Sequence, residues 1–230
     1  MNLTVAVGDI HGCYDELIEL MEAVKTQHPT DTLKYVFVGD YVDRGPKSMQ
    51  VVDLMMDNSW DHIALKGNHE DMMGNEDPHW LSNGGLETLE SYGIRGKDQP
   101  DQLALNKFGK HKAFVSNLPT MYEDEHRLYV HAGFSPGKNW RNSNDFTRMW
   151  IRDQFLGSHY DFGKLVIHGH TPYATQGNLQ IKSNRINLDT ACVFGGMLSA
   201  AVFKNDERLP INVVQIKRPK KMPATEYEDE

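Results

Sequence analysis

Apolar positions in this chain alternate between short, nearly continuous runs and helical stripes. Leu3-Thr4-Val5-Ala6-Val7 and the run ending Tyr35-Val36-Phe37-Val38 read as strands buried on both faces. Between them Leu17, Ile18, Leu20, Met21 and Val24 recur at helical spacing, which predicts a helix over residues 14–24 that His28-Pro29 ends. The pattern then repeats, with a helix over 48–56 (Val51, Val52, Leu54, Met55) and a short strand at Ile63-Ala64-Leu65. Asp9 and Asp40 are one strand–helix–strand unit apart, so the loops that carry them should lie side by side. Residues 80–92 hold Asn83-Gly84-Gly85 and a short helix, 93–100 are turn-rich, and 102–115 are helical. No linker composition marks this middle, so residues 71–126 read as an elaboration on the core, without an assigned role. Strands return at 127–130, 165–167, 186–189, 197–203 and 211–216. One domain over 1–216 is expected, followed by a charged, solvated tail over 217–230 whose Lys217–Lys221 cluster either frays or binds something.

The strands end on one kind of residue. Gly8-Asp9-Ile10-His11-Gly12 follows the first strand, and Gly39-Asp40-Tyr41-Val42-Asp43-Arg44-Gly45 the second. Gly67-Asn68-His69-Glu70 reads as a third loop on the same edge. Later strands end in His131-Ala132-Gly133 and in His168-Gly169-His170-Thr171-Pro172. The carboxyl ends of the strands are where open α/β sheets place their sites. A structural turn needs the glycines and Pro46, but not two acids and an arginine within five residues.

Composition narrows the class. A chain of 230 residues, 39% hydrophobic and 24% charged, can bury a sizeable core. A net charge of −8 argues against a general nucleic-acid-binding surface, yet leaves room for a small phosphorylated substrate held by local arginines. Cys13 and Cys192 form no C-x-x-C pair, which suits a reducing cytoplasm. Residues 1–7 lack a basic leader region and read as a first strand rather than a signal peptide. No apolar run approaches the roughly 18 residues that span a bilayer. A cytoplasmic protein is expected, with no membrane partner and no stable nucleic acid. Its oligomeric state stays open, with a monomer favoured.

Asp9, His11, Asp40, Asn68, His131 and His170 together offer hard and borderline oxygen and nitrogen ligands without a thiolate. The set is too rich for one metal and suits two, with Asp40 as the bridge. Two cations about 3.5–4 Å apart clamp the attacking and leaving oxygens of phosphoryl transfer and acidify a water. Arg44 is placed to hold phosphate oxygens in a fork. His69 is the candidate proton donor to the leaving oxygen, with Asp43 to orient it. Singly, each has a plainer reading: Asp9 as a helix cap, His131 or His168 as a hydrogen-bonded strand-end histidine. Their conjunction at successive strand ends favours the site. His28, His62, His111, His126 and His159 read as surface or satisfied histidines.

These five segments resemble the metallo-dependent phosphoprotein phosphatases of the calcineurin-like metallophosphoesterases, most closely the bacteriophage lambda-type serine/threonine phosphatases and their bacterial and phage relatives. The likeness covers residues 3–204 and includes Trp80-Leu81-Ser82-Asn83-Gly84-Gly85 and Asp189-Thr190-Ala191-Cys192-Val193-Phe194. It implies an α/β fold, a four-layer α/β/β/α sandwich of two mixed sheets. One metal would take Asp9, His11 and Asp40, the other Asp40, Asn68, His131 and His170. His69 would be the general acid and Asp43 its partner, with Arg44 and Arg152 on the phosphate. A metal-activated hydroxide would attack phosphorus in line, with no phosphoenzyme. Two divalent ions are expected, manganese first, with iron or zinc also compatible. The expected activity is a metal-dependent phosphomonoesterase, a serine/threonine or dual-specificity protein phosphatase acting on phosphorylated protein or peptide. The alternative is a symmetrical dinucleoside tetraphosphate hydrolase, similar around Gly12-Cys13-Tyr14-Asp15-Glu16-Leu17, or a nucleotide phosphodiesterase. Asp43, where the symmetrical hydrolases carry a small residue, favours monoester hydrolysis. Lys66 stands where lambda-type members carry arginine, so phosphate is held less tightly there or the residue is displaced.

Overall fold

The computed structural model describes residues 1–94, 100–173 and 179–218. The chain runs β1 (Asn2–Val7), α1 (Tyr14–Gln27), β2 (Thr32–Phe37), α2 (Ser48–Met56), β3 (His62–Ala64) and α3 (Asn68–Asn75). A 3-10 turn at Leu81–Asn83 leads into α4 (Gly85–Ser91) and α5 (Gln102–Ser116). Then come β4 (Met121–Glu123), β5 (Arg127–Val130), α6 (Asp145–Trp150), α7 (Asp153–Leu156) and β6 (Leu165–His168). Four strands close the chain: β7 (Gln180–Ile181), β8 (Arg185–Asn187), β9 (Met197–Lys204) and β10 (Asn212–Lys217).

These strands form two five-stranded mixed sheets, ordered β10-β9-β1-β2-β3 and β4-β5-β6-β8-β7. The near-continuous apolar runs are explained by the layers. Successive residues of one strand enter different cores, as the two-residue period requires. Val5 and Val7 face α1 and α2, whereas Ala6 faces the second sheet. Tyr35 and Phe37 likewise oppose Val36 and Val38, and Leu128 and Val130 oppose Tyr129. The middle core joins the sheets through Val36, Leu65, Tyr129, Ile167 and Phe203. Helices cover both outer faces: Leu17, Leu20 and Val24 of α1 on the first sheet, and Phe155 of α7 on the second. The result is the expected four-layer sandwich.

β1 and β2 pair in parallel, Val7 opposite Phe37, so the loops carrying Asp9 and Asp40 do lie side by side. β5 and β6 are also parallel and deliver His131 and His170 from the second sheet. Three local expectations change. Gly67-Asn68-His69-Glu70 is not a loop: Asn68 opens α3, and the Glu70 carboxylate turns back to accept the Gly67 N–H at 2.9 Å. β4, β7, α6 and α7 have no counterpart among the expected elements, because segments of two to six residues carry too little periodicity to register. Lys217, assigned to the tail, pairs with Met197 in β10, and Arg218 donates to the Val193 carbonyl. The rest of the expected tail, 219–230, lies outside the described residues.

Candidate metal centre

Asp9, His11, Asp40, Asn68, His131 and His170 converge between the two sheets, none more than 5% exposed. Two groups bring ligand atoms close enough to hold a cation: His11, Asp40 and His69 on one side, and Asp40, His131 and His170 on the other, with Asp40 in both. His69 is the outlying member of the first, its Nε2 4.0 Å from Asp40 against 3.4 Å for His11. His131 Nε2 lies 3.3 Å from Asp40 Oδ1 and 2.9 Å from Asn68 Oδ1, and His170 Nδ1 lies 2.9 Å from the same Asn68 oxygen. His11 Nε2 stands 3.4 Å from Asp40 Oδ2. Asp9 anchors the rim, accepting the His170 N–H at 3.0 Å.

The donor set fits divalent cations. His11 Nδ1 donates to the Val42 carbonyl at 2.7 Å, and His131 Nδ1 to the Val38 carbonyl at 3.0 Å. A carbonyl only accepts, so in each neutral ring the lone pair is on Nε2 and faces the cluster. Charge tells the same story. Burial and the neighbouring Asp189 push Asp9 well above the usual carboxylate range. Burial opposes a charge on His131, but Asp40 overrides it and lifts that imidazole to about 9. Asp40, despite burial, is held well below its ordinary value by His131, His69 and His11. His170 goes the other way, lowered to about 2 by burial and by His131, so the acids draw positive charge onto His11 and His131 alone, against burial. Buried acids beside a neutral His170 ring make a cation site in electrostatic terms.

The backbone is strained at the same places. Seven non-glycine residues among those described have positive φ, and five of them are His11, Asp40, Asp43, Arg44 and His170. Left-handed backbone at such residues is held only where the surroundings over-determine it, and it gathers at functional sites. The neighbouring glycines are required for close approach. A Cβ on Gly67 would collide with Asp40 Oδ1, and one on Gly169 with Asp9 Oδ1.

Beside the cluster, His69 Nδ1 meets Asp43 Oδ2 at 2.6 Å, and His69 Nε2 stands 4.0 Å from Asp40 Oδ2. Burial lowers the His69 pKa even against the pull of Asp40 and Asp43, which eases loss of its proton. Arg44 Nη1 contacts His11 Nε2 at 2.7 Å, and Arg152 Nε donates to His170 Nε2 at 3.0 Å. The two guanidinium groups therefore flank the cluster from opposite metal groups.

Several residues that hold the site carried no role in the sequence reading. The buried Glu70 carboxylate accepts the N–H groups of Asp40 (2.8 Å), Tyr41 (2.7 Å) and Val42 (3.3 Å) as well as Gly67, and so sets the Asp40 loop. Trp80 Nε1 donates to Asp43 at 3.0 Å and Thr88 Oγ1 at 2.7 Å. Part of the unassigned middle thus clamps Asp43. Asp189, 5% exposed, adds a third acid to the nest. Glu70, Trp80 and Asp189 lie inside quoted motifs and Thr88 does not, and for all four the missing signal is the partner that only the fold supplies. Lys66 is displaced from the phosphate side: Nζ donates to the Ser116 carbonyl and its N–H to that of Pro119. His168 is a buried second group, its pKa pulled down to about 3 by burial, with Phe155 edge-on to its ring.

The family profile of the calcineurin-like phosphoesterases matches residues 3–203. This chain belongs to that family. Among curated calcineurin-like relatives, a bis(5'-nucleosyl)-tetraphosphatase PrpE [asymmetrical] from Anoxybacillus flavithermus is 26% identical over 89% of this chain and 92% of its own. A serine/threonine-protein phosphatase 1 from Salmonella typhimurium is 28% identical, covering 85% and 89%. A crystal structure named as a "putative diadenosine tetraphosphatase" superposes with a TM-score of 0.68 at 25% identity, over 94% of this chain and 93% of that one. A cold-active protein tyrosine phosphatase, 18% identical with a TM-score of 0.59, shares the fold. The family uses a dinuclear divalent metal site, and the chain is a hydrolase of the phosphoesterase class. No helix among the described residues is long and apolar enough to cross a membrane.

Proposed function

We propose that this chain hydrolyses dinucleoside tetraphosphates, using two divalent cations held by Asp9, His11, Asp40, Asn68, His131 and His170. This reverses the order of the sequence expectation, which put protein phosphatase first. One observation carries the reading: the near full-length likeness to bis(5'-nucleosyl)-tetraphosphatases, at 26% identity over 87–89% of this chain. Arg44 and Arg152 flank the cluster on both sides, at His11 and at His170. Two such forks can grip the anionic oxygens of a polyphosphate as well as those of a single phosphate. When bound, the cations supply an acidified water and neutralise charge on the phosphate oxygens. Manganese is the metal we put first, with iron or zinc compatible with the same ligands. Arg44 and Arg152 hold the substrate, and His69, held by Asp43, gives its Nε2 proton to the departing oxygen.

A second reading, a serine/threonine protein phosphatase, is favoured by a different observation. The His69–Asp43 pair is intact at 2.6 Å, and a buried proton donor matters more for a serine alkoxide than for a departing nucleotide phosphate, itself a stable anion. The test is metal-stripped protein with manganese restored, given diadenosine tetraphosphate beside a phosphoserine peptide. Higher kcat/KM on the dinucleotide supports the first reading, and higher kcat/KM on the peptide replaces it with the second.

A further inference from the structure

Beside the metal centre lies a cleft of about 460 Å³ lined by Arg44, Leu81, Asn83, Leu86, Glu87 and Phe194 among others. Its volume falls within the range of small-ligand sites. Phe194 is 64% exposed, yet its backbone is fixed: its N–H donates to the Ala191 carbonyl at 3.0 Å, and the following Gly195 N–H to Cys192 at 2.9 Å. The exposed ring is thus mounted on a rigid turn. Leu81 and Leu86, 45% and 37% exposed, give the same cleft further apolar surface. Arg44 belongs to both places. Its Nη1 reaches His11 Nε2 at 2.7 Å, while its guanidinium carbon sits 5.4 Å from the centre of the Phe194 ring. A ligand whose phosphate Arg44 holds at the metal centre therefore leads its next group toward Phe194.

The chemistry of the lining says which group. An aromatic face with two aliphatic side chains suits a flat, largely apolar ring. Glu87 has no hydrogen-bond or ion-pair partner among the described residues. A free carboxylate repels further phosphate and accepts from a ring amino group, the donor that adenine and cytosine carry and that uracil replaces with a carbonyl. We propose that this cleft is a nucleobase subsite, in which the base of the bound nucleotide stacks on Phe194 and its exocyclic amino group donates to Glu87. The inference rests on the nucleotide reading above.

Binding separates the two ideas, because it does not require turnover. Calorimetry on the manganese-loaded protein would compare AMP with ribose 5-phosphate, which keeps the phosphate and lacks the base. AMP is expected to bind roughly tenfold tighter, the scale of one aromatic stack, with that advantage lost in Phe194→Ala and kept in Phe194→Trp. Glu87→Gln should narrow the preference for AMP over UMP. Equal binding of AMP and ribose 5-phosphate by the wild type overturns the subsite, even if the dinucleotide is cleaved. So does an AMP advantage that survives Phe194→Ala. A Phe194-dependent advantage in a protein that leaves the dinucleotide intact keeps the subsite and removes the tetraphosphatase reading instead.

Discussion

His69 Nδ1–H donates a hydrogen bond to Asp43 Oδ2 across 2.6 Å, and this contact turns the opposite nitrogen toward Asp40, the residue shared by both metal groups. If His69 protonates the leaving oxygen, His69→Asn should retain both metals and lose about two to four orders of magnitude in kcat. The loss should shrink on nitrophenyl phosphate, whose leaving group needs no proton. An equal loss on good and poor leaving groups would refute the acid role.

The clamp on Asp43 makes a separate prediction. Trp80→Phe keeps the aromatic packing and removes the N–H that meets Asp43 at 3.0 Å. We expect kcat to fall about tenfold at unchanged KM, as for a misoriented proton donor. In a His69→Asn background the same change should do nothing further. A full additional loss there would mean that Trp80 acts elsewhere.

Asp40 is common to both metal groups, and Glu70 sets its loop. Asp40→Asn should therefore lower bound metal and activity together, read by elemental analysis alongside turnover. Full metal occupancy in that variant would exclude the bridge. Glu70→Gln keeps the shape but leaves one oxygen for four N–H donors. Charged hydrogen bonds contribute about 1.5–3 kcal/mol each, so a marked drop in the denaturation midpoint is expected, with weaker metal binding. Unchanged unfolding would show that the loop holds itself.

Lys66 tests the other direction. Because its ammonium group is bound to the Ser116 carbonyl, Lys66→Ala should lower thermal stability and leave KM for the phosphorylated substrate as it is. A KM rise of tenfold or more at unchanged stability would put Lys66 back on the phosphate.

Much of this was legible beforehand because the motifs are local. Asp9 and His11, or Asp40, Asp43 and Arg44, each lie within five residues on one strand-end loop, and the apolar runs before them name the strands. The two-core alternation of Val5, Ala6 and Val7 explains why those runs showed no polar face. Trp80 and Thr88 were not legible as partners of Asp43, since 37 and 45 residues separate each pair and no period links them. Glu70 was misread for a related reason. A helix opening at Asn68 and a loop share the same polar sequence, and only the carboxylate's turn back onto Gly67 tells them apart.

The order of the strands has a consequence in time. β1 is made first, but its partner β9 pairs Lys204 with Leu3, almost the whole chain away. The first sheet therefore stays open on that side through most of synthesis, and pairings so distant close late. His131 and His170 also come from the second sheet, so no early fragment holds a full set of ligands. A nascent chain cannot gather all six ligands until β5 and β6 of the second sheet have been made.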